Sequence, residues 1–492
     1  MKTKATGISV SDGEPLAGLF FPPAPGFREE RPQVQGRIPA FIQGEYYLNG
    51  PFDFRTDGRD YRNWLDGDGL ARCMSFRDGE VVFRSRPIAT QKRAQEKSAG
   101  SPIYRTFGTA FAGDRLRRGI ALESPVNVSI YRHAGKVLAF GEQSLPWELD
   151  PATLETLGEF DFGGKFNDIT PLSAHPKFDP VSDSSCNFGV KYNREGADLV
   201  VYDFDGMLSL RRKTKVPLGR PYYIHDFSLS RDYAVFHAGP YLLDLESFIG
   251  RSHAFLDSLV WRPELGGRLL AVSRDGGGLK ADIDLGRTGY CLHLINSFTR
   301  TGLLFVDFIE AAEPFFTTYQ PVPALFASPE PCSVRRVAID IAAGKVVTSV
   351  AYPLHMHFDL PSMDPEKRGV HSGDFWALGI SPSEGKAPKF FDQVFRFDWE
   401  CGSPMDVYRM PEGFFLGGEP IFVGNADNAH EGAIICQASA PSFNQSEYLV
   451  FNAFDLAKGP LARIPLKTME PMGIHAHFSP SRTGGKMPAV PD

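Results

Sequence analysis

Short runs of alternating apolar and polar residues, separated by tight turns, recur along most of the chain. In Cys73–Phe83 two such runs flank Asp78-Gly79, and in Asn127–Phe140 two runs flank Ala134-Gly135. Alternation with a period of two predicts strands that bury one face, and a central turn pair predicts a hairpin. The same pattern predicts further hairpins at 200–210, at 334–350 and from 394 onward.

Helical patterns are few, and the best of them are Ser247–Leu259 and Ile309–Thr317. Ala94–Gly100 is predicted to be a polar loop. The chain therefore favours an all-β domain with short helices inserted in loops, and closure of its sheets into a ring would remove exposed edge strands. Residues 1–37, which are rich in Pro and Gly, are predicted to form an extended arm packed on the body. Residues 38–492 are predicted to form a single domain.

Composition narrows the class of protein without identifying it. The 492 residues are 42% hydrophobic and carry a net charge of −7, which leaves no electrostatic footprint for nucleic acid. Six scattered cysteines argue against a thiolate zinc site and against a disulfide framework. The N-terminus lacks the apolar run of a signal peptide, and no window approaches 18 consecutive apolar residues. We therefore expect a cytoplasmic protein. The sequence carries no signal for its oligomeric state.

Four of the twelve histidines stand in segments that suggest a common site. They are His175, His225, His293 and His475, and the last of them lies close to the C-terminus, where chains seldom carry chemistry. Their wide separation excludes a local metal motif such as HExxH, but it suits a closed β-structure in which each strand presents one residue to a common axis. Imidazole ligands suit iron, zinc, copper and nickel, so the residues alone leave the metal open.

Three acidic residues in apolar surroundings are candidates for orienting such ligands. They are Glu142, Asp359 and Glu419, and each flanks a predicted strand. A histidine ligand usually donates its second N–H to a carboxylate or carbonyl, which fixes the tautomer of the ring. The same carboxylates can equally be read as turn formers, so their role stays open on the residues alone.

These segments, in this order, resemble the carotenoid cleavage oxygenase family, which also includes stilbene-cleaving dioxygenases and a retinoid isomerase. The resemblance runs from Ile38 to His475. It rests on Leu48–Pro51, Trp64–Leu70, Glu142 with Trp147–Thr156, Ala174–Pro180, His225–Phe227, His293–Phe298, Asp359–Asp364, Gly418–Val423 and Gly473–His475.

The resemblance implies a seven-bladed β-propeller with a cap of loops and short helices over an axial metal site. It implies Fe(II) held by His175, His225, His293 and His475, with three of these imidazoles oriented by Glu142, Asp359 and Glu419. The family usually has Glu where this chain has Asp359, so we expect a longer bond there, or one bridged by water. His355, His357, His371 and His477 are expected not to be ligands.

The activity implied by the resemblance is that of a non-haem Fe(II) dioxygenase, which cleaves a C=C bond with O₂ into two carbonyl compounds. An apolar tunnel would hold the alkene, and the 40 Phe residues supply lining material, although no individual lining residue is predicted. Stilbene- and phenylpropene-cleaving members have a Lys directly before the first orienting Glu, and here that position is Gly141. A carotenoid or apocarotenoid substrate is therefore favoured over a phenolic stilbene or phenylpropene.

Two other readings stay open. The metal could act as a Lewis acid for a non-oxidative isomerisation or hydrolysis, or the propeller could be a binding module with a vestigial site. Because carotenoids reside in membranes, peripheral membrane contact is also expected. Thr106–Gly113 with the basic residues Arg115, Arg117 and Arg118 is the candidate surface, and the alternative is a buried strand leading into a surface loop.

Overall fold

The computed structural model describes residues 16–21, 26–56, 59–61, 63–317, 321–322, 329–371, 373–382 and 390–481. Within these ranges, seven antiparallel sheets stand around a central axis as the blades of a β-propeller, so the predicted fold is confirmed. The innermost strands of neighbouring blades lie against one another around the axis.

The blades are numbered around the ring, and their strands are given from the axis outward. Blade 1 contains Ala476–Pro480, Gly44–Leu48, Asp68–Arg77, Glu80–Pro87 and Arg28–Glu30. Blade 2 contains Ser129–His133, Lys136–Phe140, Trp147–Leu149 and Thr156–Glu159. Blade 3 contains Lys177–Asp179, Ser184–Asn193, Gly196–Phe204 and Leu210–Pro217. Blade 4 contains Ser228–Leu229, Tyr233–Ala238, Arg268–Ser273 and Leu279–Asp284.

The remaining blades follow the same pattern. Blade 5 contains Leu294–Arg300, Leu303–Glu310, Ser333–Asp340 and Lys345–Pro353. Blade 6 contains His357–Ser362, Asp374–Ile380, Gln393–Asp398 and Ser403–Arg409. Blade 7 contains Phe415–Asn425, Asn428–Ala440, Gln445–Asn452, Pro460–Pro465 and Gln35–Gly36. Shorter strands are Tyr241–Leu243 paired with Leu259–Trp261, Arg55–Thr56 paired with Arg59–Asp60, and Pro51–Phe52 beside blade 1.

The hairpins predicted from the sequence form at the predicted turns. Asp78 and Gly79 have φ of 51° and 82°, and Ala134 and Gly135 have φ of 51° and 77°. Two successive residues with positive φ match the right-handed twist of paired strands, which is why such pairs close two-residue hairpins. In blade 3 every residue of Gly196–Phe204 is buried, because this strand packs between two others and between two blades.

The ring is closed by pairing the two ends of the chain. The innermost strand of blade 1, Ala476–Pro480, is the last strand of the described chain, and it pairs with Gly44–Leu48 near the beginning. Gly44–Leu48 in turn pairs with Asp68–Arg77. His475 directly precedes the closing strand, so its position depends on closure of the ring.

Helices are short and lie between strands. The α-helices are Ala17–Phe20 and Gln91–Ala99. A π-helical turn spans Glu246–Gly250. The 3-10 turns are Trp64–Asp66, Leu256–Ser258, Pro263–Leu265, Phe315–Thr317, Pro365–Lys367, Pro441–Phe443 and Leu456–Lys458. In the described ranges, no helix is long and apolar enough to cross a membrane.

Three sequence predictions of local structure are wrong. Most of the predicted loop Ala94–Gly100 belongs to the helix Gln91–Ala99, because Lys92 and Glu96 bury their charges together one turn apart. The predicted helix over Ile309–Thr317 begins instead within the strand Leu303–Glu310. The predicted helix over 247–259 does not form as one element; the structure has two short turns there, Glu246–Gly250 and Leu256–Ser258. The domain boundary at residue 37 stays a prediction. Within the predicted arm, Arg28–Glu30 adds a strand to blade 1 and Gln35–Gly36 adds one to blade 7.

Candidate metal centre

The four candidate histidines occupy equivalent places in four blades. Each lies one to three residues before the innermost strand of its blade, at the same end of the axis: His475 in blade 1, His175 in blade 3, His225 in blade 4 and His293 in blade 5. Each offers one ring nitrogen, and these four nitrogens all lie within 4.8 Å of one another. The structure therefore brings together residues that are far apart in the sequence.

The other three blades supply the three candidate carboxylates. Glu142 of blade 2 places Oε2 3.0 Å from Nδ1 of His225, as an ion-pair contact that does not meet hydrogen-bond geometry. His293 Nδ1 donates to Oδ1 of Asp359 in blade 6 over 2.6 Å. His475 Nδ1 donates to Oε2 of Glu419 in blade 7 over 3.4 Å. Each of the seven blades thus contributes one residue to the cluster.

The contact of Asp359 corrects an expectation. A longer or water-bridged bond was expected from the shorter side chain, but at 2.6 Å this contact is the shortest of the three. The strand of blade 6 has a register shift directly after Asp359, and Leu360 there has a φ of 58°. Such a bulge re-aims side chains next to functional sites. Here the irregular backbone makes up for the missing methylene.

His175 is supported differently from the other three imidazoles. Among the described residues no carboxylate pairs with it. Instead its backbone N–H donates to Ser173 Oγ over 3.1 Å, and that hydroxyl donates to the carbonyl of His225 over 3.0 Å. The Asn187 side chain accepts from the backbone N–H of Ser173 over 3.1 Å and donates to its carbonyl over 3.0 Å. We call Ser173 and Asn187 the backbone clamp.

Burial favours the neutral, metal-binding form of two of these imidazoles, and at a third a carboxylate opposes it. Burial, followed by the neighbouring imidazoles, holds the pKa of His175 well below its usual range. Burial also lowers the pKa of His475, although Glu419 opposes the shift. Burial alone would lower the pKa of His293, but Asp359 outweighs it and the pKa is raised. A carboxylate at Nδ1 stabilises the tautomer that leaves the lone pair on Nε2.

The donor set fits a single metal ion. His293 Nε2 is buried and meets no hydrogen-bond partner among the described residues, although a buried polar atom is normally paired. Nε2 of His175 and Nε2 of His225 lie 2.9 Å apart. Two nitrogens at that separation can both bind one ion at the usual metal–nitrogen distance of about 2.1 Å. These four residues could therefore hold a transition metal whose protein ligands are all imidazoles.

A cavity of about 450 Å³ opens beside the cluster. Its walls are largely aromatic and aliphatic, and residues from the short helical turns and nearby loops form much of the lining, among them Trp64, Phe107, Phe255, Phe315 and Phe316. His225, His293 and His475 form part of the same surface. Pockets for small molecules span about 300–1,000 Å³ and are mostly apolar. The arrangement therefore places a candidate metal centre against a site for an apolar ligand.

The family model described as "Retinal pigment epithelial membrane protein" matches residues 20–480. This match spans all seven blades and includes every candidate residue of the centre. The chain belongs to the RPE65 family. The resemblance to carotenoid cleavage oxygenases is thereby confirmed, and so is membership of a family of O₂-incorporating oxidoreductases.

Relatives in the RPE65 family align over nearly the whole chain. Apocarotenoid-15,15'-oxygenase of Synechocystis is 29% identical over 91% of this chain and 92% of its own length. Isoeugenol monooxygenase of Pseudomonas putida is 28% identical over 92% of this chain and 95% of its own length. The crystal structure of the cobalt-substituted Synechocystis apocarotenoid oxygenase superimposes with a TM-score of 0.85 at 26% identity, covering 95% and 98% of the two chains.

The four histidines that were expected not to be ligands lie outside the four-imidazole cluster. His477 packs its ring against Tyr131 and Phe178. His357 borders the cavity, His371 packs against Phe298, and His355 is exposed. Of the closely spaced pair His475 and His477, only His475 joins the cluster, and its role as a ligand stays a prediction.

The candidate membrane surface is partly internal. Phe107 is 8% exposed and packs against Phe255 and Phe316 in the cavity wall. Arg117 forms an ion pair with Glu159 and Arg118 forms one with Asp168. Phe107 therefore serves the cavity, and membrane contact stays a prediction.

Sequence reasoning missed the residues of the backbone clamp and did not identify any apolar residue as part of the cavity lining. Ser173 is two residues before His175, but Asn187 lies on the next strand and nothing in its local sequence marks it. Lining residues were not predictable because core and lining positions share the same apolar composition.

Proposed function

We propose that this protein is a non-haem Fe(II) dioxygenase that cleaves a C=C bond of a carotenoid or apocarotenoid with O₂ to give two carbonyl products. In this proposal His175, His225, His293 and His475 hold the iron. Glu142, Asp359 and Glu419 orient three of these imidazoles, and the backbone clamp orients His175.

The observation that carries the proposal is the meeting of two features at one place. Four imidazole nitrogens lie within 4.8 Å of one another, and three of these imidazoles, those of His225, His293 and His475, line the apolar cavity that would take an alkene. The similarity to a Synechocystis protein named apocarotenoid-15,15'-oxygenase supports the reaction and the substrate class. The cobalt-substituted structure of such an oxygenase supports a metal-dependent site.

The protein residues prepare the site rather than react themselves. Ferrous iron with four neutral ligands would supply the chemistry that activates O₂ toward an alkene. Asp359 and Glu419 accept the Nδ1–H of their partner imidazoles, so each ring presents Nε2 in a fixed orientation. Because all four ligands are neutral, the positive charge of the ion is balanced only by the carboxylates behind them.

The cavity wall contributes binding, orientation and exclusion of water. Phe107, Phe255 and Phe316 pack together with ring centroids 5.5–5.7 Å apart for the two contacts of Phe107, which gives a rigid apolar surface. A long alkene bound there would be held with one double bond beside the imidazoles. Cleavage breaks one C=C bond and one O=O bond and forms two C=O bonds, so no external reductant is required.

A carotenoid-like substrate is favoured over a phenolic one by the surroundings of Gly141. A Cβ atom at this position would lie 1.9 Å from Ser124 Oγ and 3.1 Å from the backbone of Val126. The space in which a phenol-binding Lys would begin is therefore filled. The relative named isoeugenol monooxygenase keeps phenylpropene or stilbene cleavage as the second candidate.

The test is to incubate iron-loaded protein under air with a panel of β-carotene, several apocarotenals, resveratrol and isoeugenol, and to identify products by mass. We expect two carbonyl fragments from a carotenoid or apocarotenoid. Fragments from resveratrol or isoeugenol alone would establish the second candidate instead. Absence of any fragments, with substrate bound and iron present, would contradict the proposed reaction.

The same incubation without O₂ separates oxygenation from Lewis-acid chemistry. We expect no turnover under anaerobic conditions and recovery when O₂ is admitted. An isomerised or hydrolysed product formed in the absence of O₂ would instead assign the centre a non-oxidative role.

A further inference from the structure

A fourth carboxylate, which is buried, lies beside the centre and is not one of the three that face an imidazole. Asp226 directly follows His225 and is 3% exposed. Its Oδ2 accepts from the backbone N–H of Leu294 over 2.9 Å, and Leu294 directly follows His293. Its Oδ1 forms an ion pair of 2.7 Å with Nζ of Lys177, two residues after His175. One side chain, in the segment of His225, thus contacts the segments of two further candidate ligands, His175 and His293.

These contacts join three neighbouring blades at the metal end of the axis. Lys177 belongs to blade 3, Asp226 precedes the inner strand of blade 4, and Leu294 begins the inner strand of blade 5. Neighbouring inner strands of a propeller are not hydrogen-bonded into one sheet, so their spacing depends on contacts of this kind. A charged side chain with two fixed partners defines such a spacing more narrowly than apolar packing does.

The centre uses backbone contacts on its opposite side. Glu419 N donates to the carbonyl of Ile474 over 2.8 Å, which ties blade 7 to blade 1. His475 N donates to the carbonyl of Val128 over 3.3 Å, which ties blade 1 to blade 2. Blades 3, 4 and 5 present a carboxylate–ammonium pair at the corresponding place, in addition to the hydroxyl of Ser173.

A buried ion pair is seldom retained for stability alone. Removing two charges from water costs several kcal/mol, and apolar replacements of buried pairs are often neutral or stabilising. A defined spacing between chain segments is a recognised reason for keeping such a pair. Lys177 and Asp226 together are neutral, so the pair can set geometry without changing the net charge around the ion.

We propose that the Lys177–Asp226 ion pair positions His175, His225 and His293 for binding one metal ion. The inference rests on the proposed function, since it assumes that these imidazoles are ligands. Asp226 and Lys177 act as positioning residues and touch neither the substrate nor the ion.

The chain offers a closely matched control pair. Arg336 and Asp307 form an ion pair of 2.7 Å within blade 5, with side-chain exposures of 17% and 1%. Lys177 and Asp226 have side-chain exposures of 17% and 2%. Asp307→Asn therefore removes a carboxylate of equal burial and leaves a cation of equal exposure, but it connects strands of one blade rather than ligand segments.

The experiment titrates Co(II) into iron-free full-length protein and follows the visible absorption of the bound ion. For Asp226→Asn we expect Co(II) affinity to fall by about 10–100-fold, the range seen when groups behind metal ligands are changed, and the absorption bands to shift. For Asp307→Asn we expect wild-type affinity and wild-type bands, with a melting temperature lowered as much as in Asp226→Asn. A merely structural role for Asp226 would lower the melting temperature without moving the bands.

Each outcome decides the proposal. Wild-type affinity and bands in Asp226→Asn would overturn it, as would equal losses of affinity in Asp226→Asn and Asp307→Asn. Should Asp226→Asn fail to fold, Lys177→Met combined with Asp226→Asn leaves no unpaired buried charge and is expected to fold with the same weakened binding. Failure of the wild type to bind Co(II) would instead refute the metal site of the proposed function.

Discussion

The centre holds its four imidazoles in two different ways. His225, His293 and His475 each have a carboxylate near Nδ1, whereas His175 is fixed through its backbone by Ser173 and Asn187. A carboxylate acts on the ring itself, because it sets the tautomer and raises the basicity of the ligand. A backbone clamp fixes only where the side chain begins. The difference predicts that the two kinds of support affect metal affinity and protein stability in different proportions.

Both kinds of imidazole, those supported by a carboxylate and the one supported by the backbone clamp, are expected to be required as ligands. His475→Ala and His175→Ala are each expected to reduce bound iron from one equivalent to near zero and to abolish turnover, because each removes a quarter of the donor set. His477→Ala is the matched control and should retain iron and turnover. Iron content by mass spectrometry and product formation measure both. Full iron retention in either variant would exclude that residue as a ligand.

Truncation after Met472 removes His475 together with the strand that closes the ring. We expect this protein to lose iron and also its cooperative thermal transition, whereas His475→Ala should keep the transition. Calorimetry distinguishes the two cases. A truncated protein that retained both iron and the transition would show that the last strand is not needed for the site.

Changing a carboxylate should act mainly on the metal. Glu419→Gln keeps the shape of the side chain but removes its charge, and metal affinity is expected to fall by about 10–100-fold. Glu447→Gln in the same blade removes a buried carboxylate paired with Arg463 and serves as control. Competition with a chelator gives the affinities. Equal affinity in Glu419→Gln and the wild type would remove Glu419 from the account.

Changing the backbone clamp should act mainly on stability. Ser173→Ala leaves the N–H of His175 and the carbonyl of His225 without their partner, which costs about 1–3 kcal/mol in the free energy of unfolding. We expect a smaller loss of metal affinity than in Glu419→Gln. Ser297→Ala is the control, since Ser297 is fully buried and its hydroxyl meets no partner among the described residues. Denaturant unfolding measures the free energy of unfolding of both serine variants. Equal values for Ser173→Ala and Ser297→Ala would contradict a stabilising role of the backbone clamp.

Lengthening the aspartate should not improve the centre. Asp359 already contacts His293 at 2.6 Å and is 8% exposed. The extra methylene of Asp359→Glu has to fit into a packed region, and overpacking of this kind typically costs about 1–3 kcal/mol. We expect lower stability with no gain in metal affinity. A gain in affinity would show that the shorter aspartate side chain weakens metal binding.

His237 shows what a buried imidazole does without either kind of support. It is 3% exposed, neither ring nitrogen has a hydrogen-bond partner among the described residues, and burial lowers its pKa to about 4. Between that pKa and the usual 6.5 the unfolded chain binds the extra proton, so stability falls as the pH falls through this window. Below pH 4, a pKa shift of this size lowers the free energy of unfolding by about 3 kcal/mol relative to its value above pH 6.5.

His237→Leu should therefore leave stability nearly unchanged at pH 8 and reduce the loss of stability between pH 6.5 and pH 4. Unfolding curves across this range measure the effect, with His430→Gln, a change at an exposed position, as control. An unchanged pH dependence in His237→Leu would assign the acid sensitivity to other groups.

The hairpins were predictable from the sequence because they leave local traces, whereas the seven central residues were indicated by the resemblance of their ordered segments to a known family. Turn pairs such as Asp78-Gly79 fix hairpins, and each candidate histidine stands in its own ordered segment. Supports that act between distant segments leave no such trace. Asn187 and Asp226 became visible only through their contacts with Ser173 and Leu294.

Local patterns also failed where tertiary contacts decide the structure. Ile309–Thr317 has a helical period, but Leu303–Glu310 pairs with Ser333–Asp340 and is drawn into blade 5. The short distance from Asp359 to His293 was not predictable either, because it depends on an irregular backbone at Leu360. Side-chain length alone pointed the other way.

The most direct test of the central claim is labelling with ¹⁸O₂. Iron-loaded protein would be incubated under ¹⁸O₂, in ordinary water, with an apocarotenoid that it cleaves. Rapid chemical reduction of the carbonyl products to alcohols would prevent exchange of their oxygen with water. The account predicts one ¹⁸O atom in each of the two fragments, and none when ordinary O₂ and labelled water are used. Fragments that carry oxygen from water in both positions would contradict a dioxygenase at the four-imidazole centre.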